Sequence, residues 1–285
     1  MNDRKTSDAA KTDPIRIGVF DSGFGGLTVL RALLPQIPGA EFFYLGDTAR
    51  LPYGSKSKAT VARYAVESAL LLESYGADYL VIACNTASAL ALDAIRSAAH
   101  VPVLGVIETG ADSAAAASVS RDVMVLATQA TVESHAYAQA CAAHGLRSVE
   151  KACPLLVPLI EEGWIESPVT REVLRIYLEE ARGAANEAGL APDTVLLGCT
   201  HYPLLRGLLE ETLPKGMTIL DSAETTATRV RRDLPALPAA HASGRDADLG
   251  RCHFFATDSV DKFRTLGSRF LGQPIERVDL IDLGG

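Results

Sequence analysis

Short apolar runs alternate with helical patterns along most of this chain, and that rhythm limits its fold more than any other feature. IRIGVF (15–20), EFFYLG (41–46), DYLVIA (78–83) and VPVLGVI (101–107) are strand-like, with helical patterns between them, notably over 58–75 and 86–99. Strands that are apolar throughout must be covered on both faces, so the pattern predicts βαβ units and a mainly parallel sheet between layers of helix. The rhythm then begins again. DVMVLA (122–127) is followed by helical patterns over about 131–144 and 168–188, and by strands at TVLLG (194–198) and MTILD (217–221). The restart predicts two similar α/β halves. CHFFAT (252–257) and RVDLI (277–281) are late strands expected to return to the first half, and 234–250 reads as an exposed loop.

The opening MNDRKTSDAAKTDP is polar and lacks the apolar core of a secretory signal, so residues 1–13 read as a disordered tail. No window reaches the apolar length of a membrane span, and a cytoplasmic location follows as the default. The net charge is −8, which disfavours general nucleic-acid binding but leaves a small anionic ligand possible, since that feels only the local field.

Five cysteines, an odd number without a CxxC pair, argue against a disulfide framework. A zinc site is disfavoured too, because the nearest Cys/His neighbours, Cys199 with His201 and Cys252 with His253, are isolated pairs and not a ligand cluster. Two of the cysteines sit in matching contexts. YLVIACNTASAL (79–90) and VLLGCTHYPLL (195–205) each run from apolar strand to cysteine to a polar residue and a helix start. In open α/β sheets ligands bind beyond the carboxyl ends of strands. Cys84 and Cys199 stand there, and Asn85-Thr86 and Thr200-His201 are positioned to cap the helices after them. One such cysteine would be read as a buried core thiol. Two at equivalent points of two half-repeats point to chemistry.

The other candidates each have a plain structural reading. Asp21 and Ser22 lie in the glycine-rich DSGFGGLTVL, which lacks both the Walker lysine and the G-x-G-x-x-G spacing and is equally a strand–helix turn. Tyr53 and Gly54 fall in a turn, LPYGSKS. Glu161 ends CPLLVPLIEEGW, where a solvated helix end is the common fate, and a lone histidine such as His201 is more often structural. The chemistry of two thiols is specific, however. A thiolate is a competent base and a thiol of pKa ~8.5 a competent acid. One on each face of a carbon removes a proton from one side and returns one to the other, inverting a stereocentre without a cofactor. The alternative, pyridoxal phosphate, needs a Schiff-base lysine, and none of the seven lysines follows a strand as the cysteines do.

At these residues the chain resembles the glutamate racemases of the cofactor-independent aspartate/glutamate racemase superfamily. FDSGFGGLTV, YLGDTARLPYGSKS, ACNTASA, PVLGVIE and LLGCTHYPLL match the family pattern in order, from about residue 15 onward. The resemblance implies two pseudo-symmetric parallel-sheet domains facing each other across an active-site cleft, the first from 14–108 and 222–285, the second from 109–221. It implies that Cys84 takes the proton from D-glutamate and Cys199 from L-glutamate. Asp21 would assist Cys84; His201 and Glu161 would assist Cys199. Substrate contacts would come from Asp21, Ser22, Tyr53, Gly54, Asn85, Thr86, Thr200 and His201, with Thr128 or Thr131 adding one. No metal or cofactor is implied, and a homodimer supplying D-glutamate to peptidoglycan is. Two other readings stay open: an aspartate racemase with the same chemistry, and a binding domain whose thiols form a redox switch.

Overall fold

The structure, a computed structural model, describes residues 14–234 and 249–283; the polar tail and nearly all of the loop expected at 234–250 lie outside the described residues. The first elements are β1 (Arg16–Asp21), α1 (Leu27–Gln36), β2 (Glu41–Gly46), α2 (Lys58–Ser74), β3 (Tyr79–Ile82), α3 (Asn85–Ala98), β4 (Val103–Gly105) and α4 (Val106–Ala117). Next come β5 (Asp122–Ala127), α5 (Gln129–Glu133), α6 (Ala136–Ala143), β6 (Arg147–Ala152), α7 (Leu156–Glu161), α8 (Pro168–Glu187) and β7 (Thr194–Gly198). The chain continues with α9 (Arg206–Thr212), β8 (Thr218–Asp221), α10 (Ser222–Asp233), β9 (Cys252–Ala256), α11 (Val260–Leu271) and β10 (Asp279–Leu280).

Two sheets result, with strand orders β10-β9-β2-β1-β3-β4 and β6-β5-β7-β8, and every pairing is parallel. The order 2-1-3-4 of the first sheet recurs in the second as 6-5-7-8, so β1 corresponds to β5 and β3 to β7. The late strands β9 and β10 add to the first sheet beside β2. All residues of β3, β5 and β7 are buried, as continuous apolar runs covered on both faces require. Val19 and Phe24 from one half and Leu126 and Tyr202 from the other belong to one contiguous apolar cluster, so the halves share core rather than merely touching. Helix starts obey local chemistry. Ser57 Oγ accepts from the Thr60 N–H at 3.4 Å to cap α2, and Ser167 Oγ accepts from the Val169 N–H at 3.2 Å at the start of α8, with Pro168 in the first turn.

Three expectations need correction, and one strand comes unexpected. The run 101–107 is strand only over Val103–Gly105, because Gly105 caps α4 and the chain turns into helix at Val106. The helix expected over 131–144 is two, α5 and α6, broken at His135, whose left-handed φ of 55° no α-helix accommodates. The strand at 277–281 shortens to two residues. RSVEKA, not expected as a strand, forms β6: it is an edge strand, only half-buried, and its polar and charged residues are what such a position favours.

Candidate active site

The residues just past β1, β3, β5, β6 and β7 converge on one cavity of about 760 Å³. Ser22, Cys84, Thr128, Cys153 and Cys199 are the first or second residues past those strands, and all line it. Because β1 and β3 are neighbours, as are β5 and β7, both cysteines end the strand that flanks the first strand of its half. Of the sequence candidates, Ser22, Tyr53, Gly54, Asn85, Thr86, Glu161, Thr200 and His201 also line the cavity. Asp21 lies just behind it, buried at the end of β1.

On the first side, Cys84 is itself the cap of α3. Its Sγ accepts from the Ala87 N–H at 3.4 Å and donates to Ser22 Oγ at 3.5 Å. The expected caps Asn85 and Thr86 instead stand in the first turn. Burial and then the nearby Asp21 carboxylate push the Cys84 thiol up to about 12, against the hydrogen bonds from Ser22 and Ala87, so this sulfur stays protonated near neutrality. Asp21 Oδ2 accepts from the Gly23 N–H at 2.9 Å. Burial raises its pKa, while the His201 charge and the Gly23 and Gly26 amides pull against the rise. Asn85 Oδ1 accepts from Tyr137 Oη at 2.6 Å, which leaves its buried Nδ2 with no hydrogen-bond partner among the described residues. That is an unusual state for a buried amide.

On the second side, His201 Nδ1 lies 3.9 Å from Cys199 Sγ, and its Nε2 lies 3.2 Å from Glu161 Oε1. Both neighbours can accept, which suits an imidazolium donating from both nitrogens. Burial opposes that charge, but Cys199 and Glu161 outweigh it and raise the His201 pKa to about 10. Burial likewise works against ionised Glu161, yet His201 and then Lys262 hold its carboxyl below the usual range. Neither Thr200 nor His201 caps a helix with its side chain. Thr200 Oγ1 sits instead between the two sides, 3.5 Å from Asp21 Oδ1 and 3.5 Å from His201 Nδ1.

The halves also meet at Thr86, Thr128 and Thr131, whose hydroxyls lie within 3.3 Å of one another in each pairing. Of the two later threonines Thr128 lines the cavity; Thr131 backs it. The Tyr53 phenol is committed to Asp47 Oδ2 at 2.5 Å, so this residue shapes the wall rather than offering a free hydroxyl. Arg50 is engaged by Asp47 and Glu67, and Arg206 by Asp221, and neither lines the cavity. No group of three or more His, Cys, Asp or Glu among the described residues could hold a metal ion. No described helix is long and apolar enough to cross a membrane.

Several residues of the site carry no signal in the sequence. Gly25 packs directly against Thr200 and His201. Thr28 Oγ1 reaches the Thr200 carbonyl at 3.3 Å. Lys262 pairs with Glu161, and Phe270 meets the His201 ring edge-on. Cys153 is not marked out because it comes after β6, a strand too polar to recognise.

Comparison with known proteins identifies the family. The Asp/Glu/Hydantoin racemase family matches residues 26–230. A glutamate racemase of Koribacter versatilis (strain Ellin345) is 51% identical, over 94% of this chain and 98% of its own. The crystal structure of the Thermus thermophilus glutamate racemase in complex with β-chloro-D-alanine superposes with a TM-score of 0.79 at 43% identity, over 96% of this chain and 99% of that one. That of the Francisella tularensis enzyme in complex with D-glutamate gives a TM-score of 0.82 at 31% identity, over 95% and 99%. The chain therefore belongs to the Asp/Glu/Hydantoin racemase family, among its glutamate racemases, and is an isomerase that acts as an amino-acid racemase.

Proposed function

We propose that this enzyme interconverts L- and D-glutamate by proton transfer between the substrate α-carbon and two thiols, Cys84 and Cys199. The observation that carries the reading is topological: two sulfurs end the equivalent strands β3 and β7 and line the same cavity. L-Glutamate gives its α-proton to the Cys199 thiolate, which His201 stabilises by donating from Nδ1. The Cys84 thiol then donates its proton to the opposite face of the carbanion, yielding D-glutamate and a Cys84 thiolate. The reverse direction exchanges the roles. Asp21 serves the Cys84 side, and Glu161 holds the imidazolium on the Cys199 side. Ser22, Gly54 with Tyr53, Asn85, Thr86 and Thr200, which all line the cavity, hold the substrate with hydroxyl and amide groups. Thr128 is the further contact we favour. The two domains divide near residues 108 and 221.

In this reading the enzyme works without metal or cofactor, in the cytoplasm, as a homodimer, and supplies D-glutamate for peptidoglycan. Names of relatives and the D-glutamate complex of the Francisella enzyme support glutamate as the substrate. The test is chiral chromatography of L-glutamate and L-aspartate incubated with purified protein in deuterated water. Product glutamate is expected to carry α-deuterium while recovered substrate carries little at early times, and kcat/KM should favour glutamate by well over ~10-fold, since polar partners left unpaired by a shorter substrate discriminate strongly. Equal efficiency on aspartate would count against the substrate assignment, and equal early labelling of both enantiomers against separate acids.

A further inference from the structure

Glu161, which orients His201, is held in turn by a residue from across the cleft. Lys262 lies on α11, the helix after β9 of the six-stranded sheet, whereas Glu161 ends α7, beyond β6 of the other sheet. Lys262 Nζ stands 3.5 Å from Glu161 Oε2, while the other carboxylate oxygen, Oε1, meets His201 Nε2 at 3.2 Å. One carboxylate therefore bridges an ammonium and an imidazole. The same helix supplies Phe270, whose ring meets the His201 ring edge-on at 5.0 Å between centroids. It also supplies Arg269, which lies over Gly163: a methyl there would come within 2.8 Å of its Nη1. Residues 262, 266, 269 and 270 recur at one helical face, so α11 grips the end of α7 and the His201 ring together.

We propose that Lys262 is a positioning residue for the Cys199 side of the site: by fixing Glu161 Oε2 it leaves Oε1 aimed at His201 Nε2, and so keeps Nδ1 turned toward Cys199. This rests on the two-thiol reading above. The pair is not needed for stability. Lys262 is half-exposed, and such an ion pair contributes little to stability. Its value is directional, because Glu161 is mostly buried and its two carboxylate oxygens meet His201 and Lys262. The titratable and charged side chains near the dyad are Cys199 beside it, Glu162 next to Glu161 at the cavity, Asp21 from β1 and Lys262 from α11. Lys262 stands on the Cys199 side, so the effect falls more strongly on that half of the reaction.

Racemisation itself cannot reveal such a bias. The two enantiomers are equally stable, so kcat/KM must fall equally in both directions for any variant. A 3-chloroglutamate separates the halves. After one base removes the α-proton, the Cα–Cβ double bond forms as chloride leaves with the C–Cl electron pair, and water hydrolyses the resulting enamine to a keto acid and ammonium. The L isomer needs only Cys199, and the D isomer only Cys84. Keto acid release from each isomer should be measured for wild type, Lys262→Met, Lys262→Arg and Cys199→Ser. Lys262→Met is expected to lose up to about fivefold on the L isomer relative to the D isomer, as an ion pair of this exposure allows, and Lys262→Arg to recover to within about twofold of wild type. Parallel loss on both isomers, no loss, or failure of arginine to restore the ratio would overturn the proposal. Wild type acting on both isomers, with Cys199→Ser acting on D alone, verifies the two-thiol reading separately; if that control fails, it is that reading which falls.

Discussion

Replacing Gly25 by alanine tests whether the chemistry depends on the direct contact between the two halves. A methyl built on Gly25 lies 2.2 Å from Thr200 Oγ1, 2.5 Å from His201 Nδ1 and 2.8 Å from His201 Cε1. Contacts to carbon are normally about 3.5 Å or longer, so Thr200 and His201 must retreat by roughly 1 Å. Neither can do so freely. Thr200 holds Asp21 and accepts Thr28 at its carbonyl, and His201 is fixed between Glu161 and Phe270. Overpacking of this kind costs about 1–3 kcal/mol of stability, which a domain pair of this size survives with a lower Tm. The cost to catalysis is larger, because a ~1 Å misplacement of a reacting group can lower the rate by ~100-fold. Chiral chromatography should therefore give Gly25→Ala a kcat/KM lower by about two orders of magnitude, while circular dichroism shows a folded protein melting at a lower temperature. Gly207→Ala is the control. Nothing lies within 4 Å of a methyl there, and in helix α9 alanine is favoured over glycine by up to ~1 kcal/mol, so full activity and an equal or higher Tm are expected. Activity of Gly25→Ala within about threefold of wild type would refute the reasoning.

The same geometry sets other outcomes. Cys84→Ser and Cys199→Ser should each lose racemisation by ~1000-fold or more, since a hydroxyl cannot alternate as base and acid; on 3-chloroglutamate, Cys84→Ser should retain the L isomer and Cys199→Ser the D isomer, and a variant that retains both contradicts face-specific bases. His201 is held up to about 10 when folded, against ~6.5 in an unfolded chain. Its imidazolium thus favours the fold fully below pH ~6.5, and the advantage fades as pH rises through 10. The difference in unfolding free energy between wild type and His201→Gln should shrink from pH 7 to 10, and a constant difference would show that His201 is not charged. EDTA should leave the racemase rate unchanged; loss of activity that added metal restores would rule out a cofactor-free mechanism.

What the sequence reveals and what it hides divide along the range of the contacts. Strands such as β5 and β7 are legible because burial on both faces demands unbroken apolar runs, a purely local signature. Cys84 and Cys199 are legible because a parallel strand delivers the residue after it to the cleft, so position in the chain implies position in space. The edge strand β6 hides because its residues answer to solvent on one side. Gly25, Thr28 and Lys262 hide for a different reason. Each takes its role from a partner in the other half, as Thr28 does from Thr200 172 positions away, and no periodicity encodes such a pairing. Glu161 is intermediate: a carboxylate at a helix end is common, and only His201 on one oxygen and Lys262 on the other give it a role.

The two halves repeat a frame but not its side chains, and this breaks the symmetry that the paired cysteines suggest. The strand before the cleft ends in Asp21 in the first half and in Ala127, with Thr128 next, in the second. Two residues past the sulfur stands Thr86 in one half and His201 in the other. Cys84 thus sits beside an acid and a hydroxyl, buried and held as a thiol, whereas Cys199 sits beside an imidazolium anchored by Glu161. The proposed two-thiol mechanism needs such inequality at every instant, because one sulfur must lack a proton while the other carries it. It also needs the states to exchange after each turnover. Thr200 Oγ1 lies 3.5 Å from both Asp21 Oδ1 and His201 Nδ1, and the His201 charge lowers the pKa of Asp21 against the effect of its burial. The acid of one half therefore feels the charge of the other. The frame brings two sulfurs to one cavity; in the proposed mechanism the unlike side chains around them make one the acid and the other the base, and link the two.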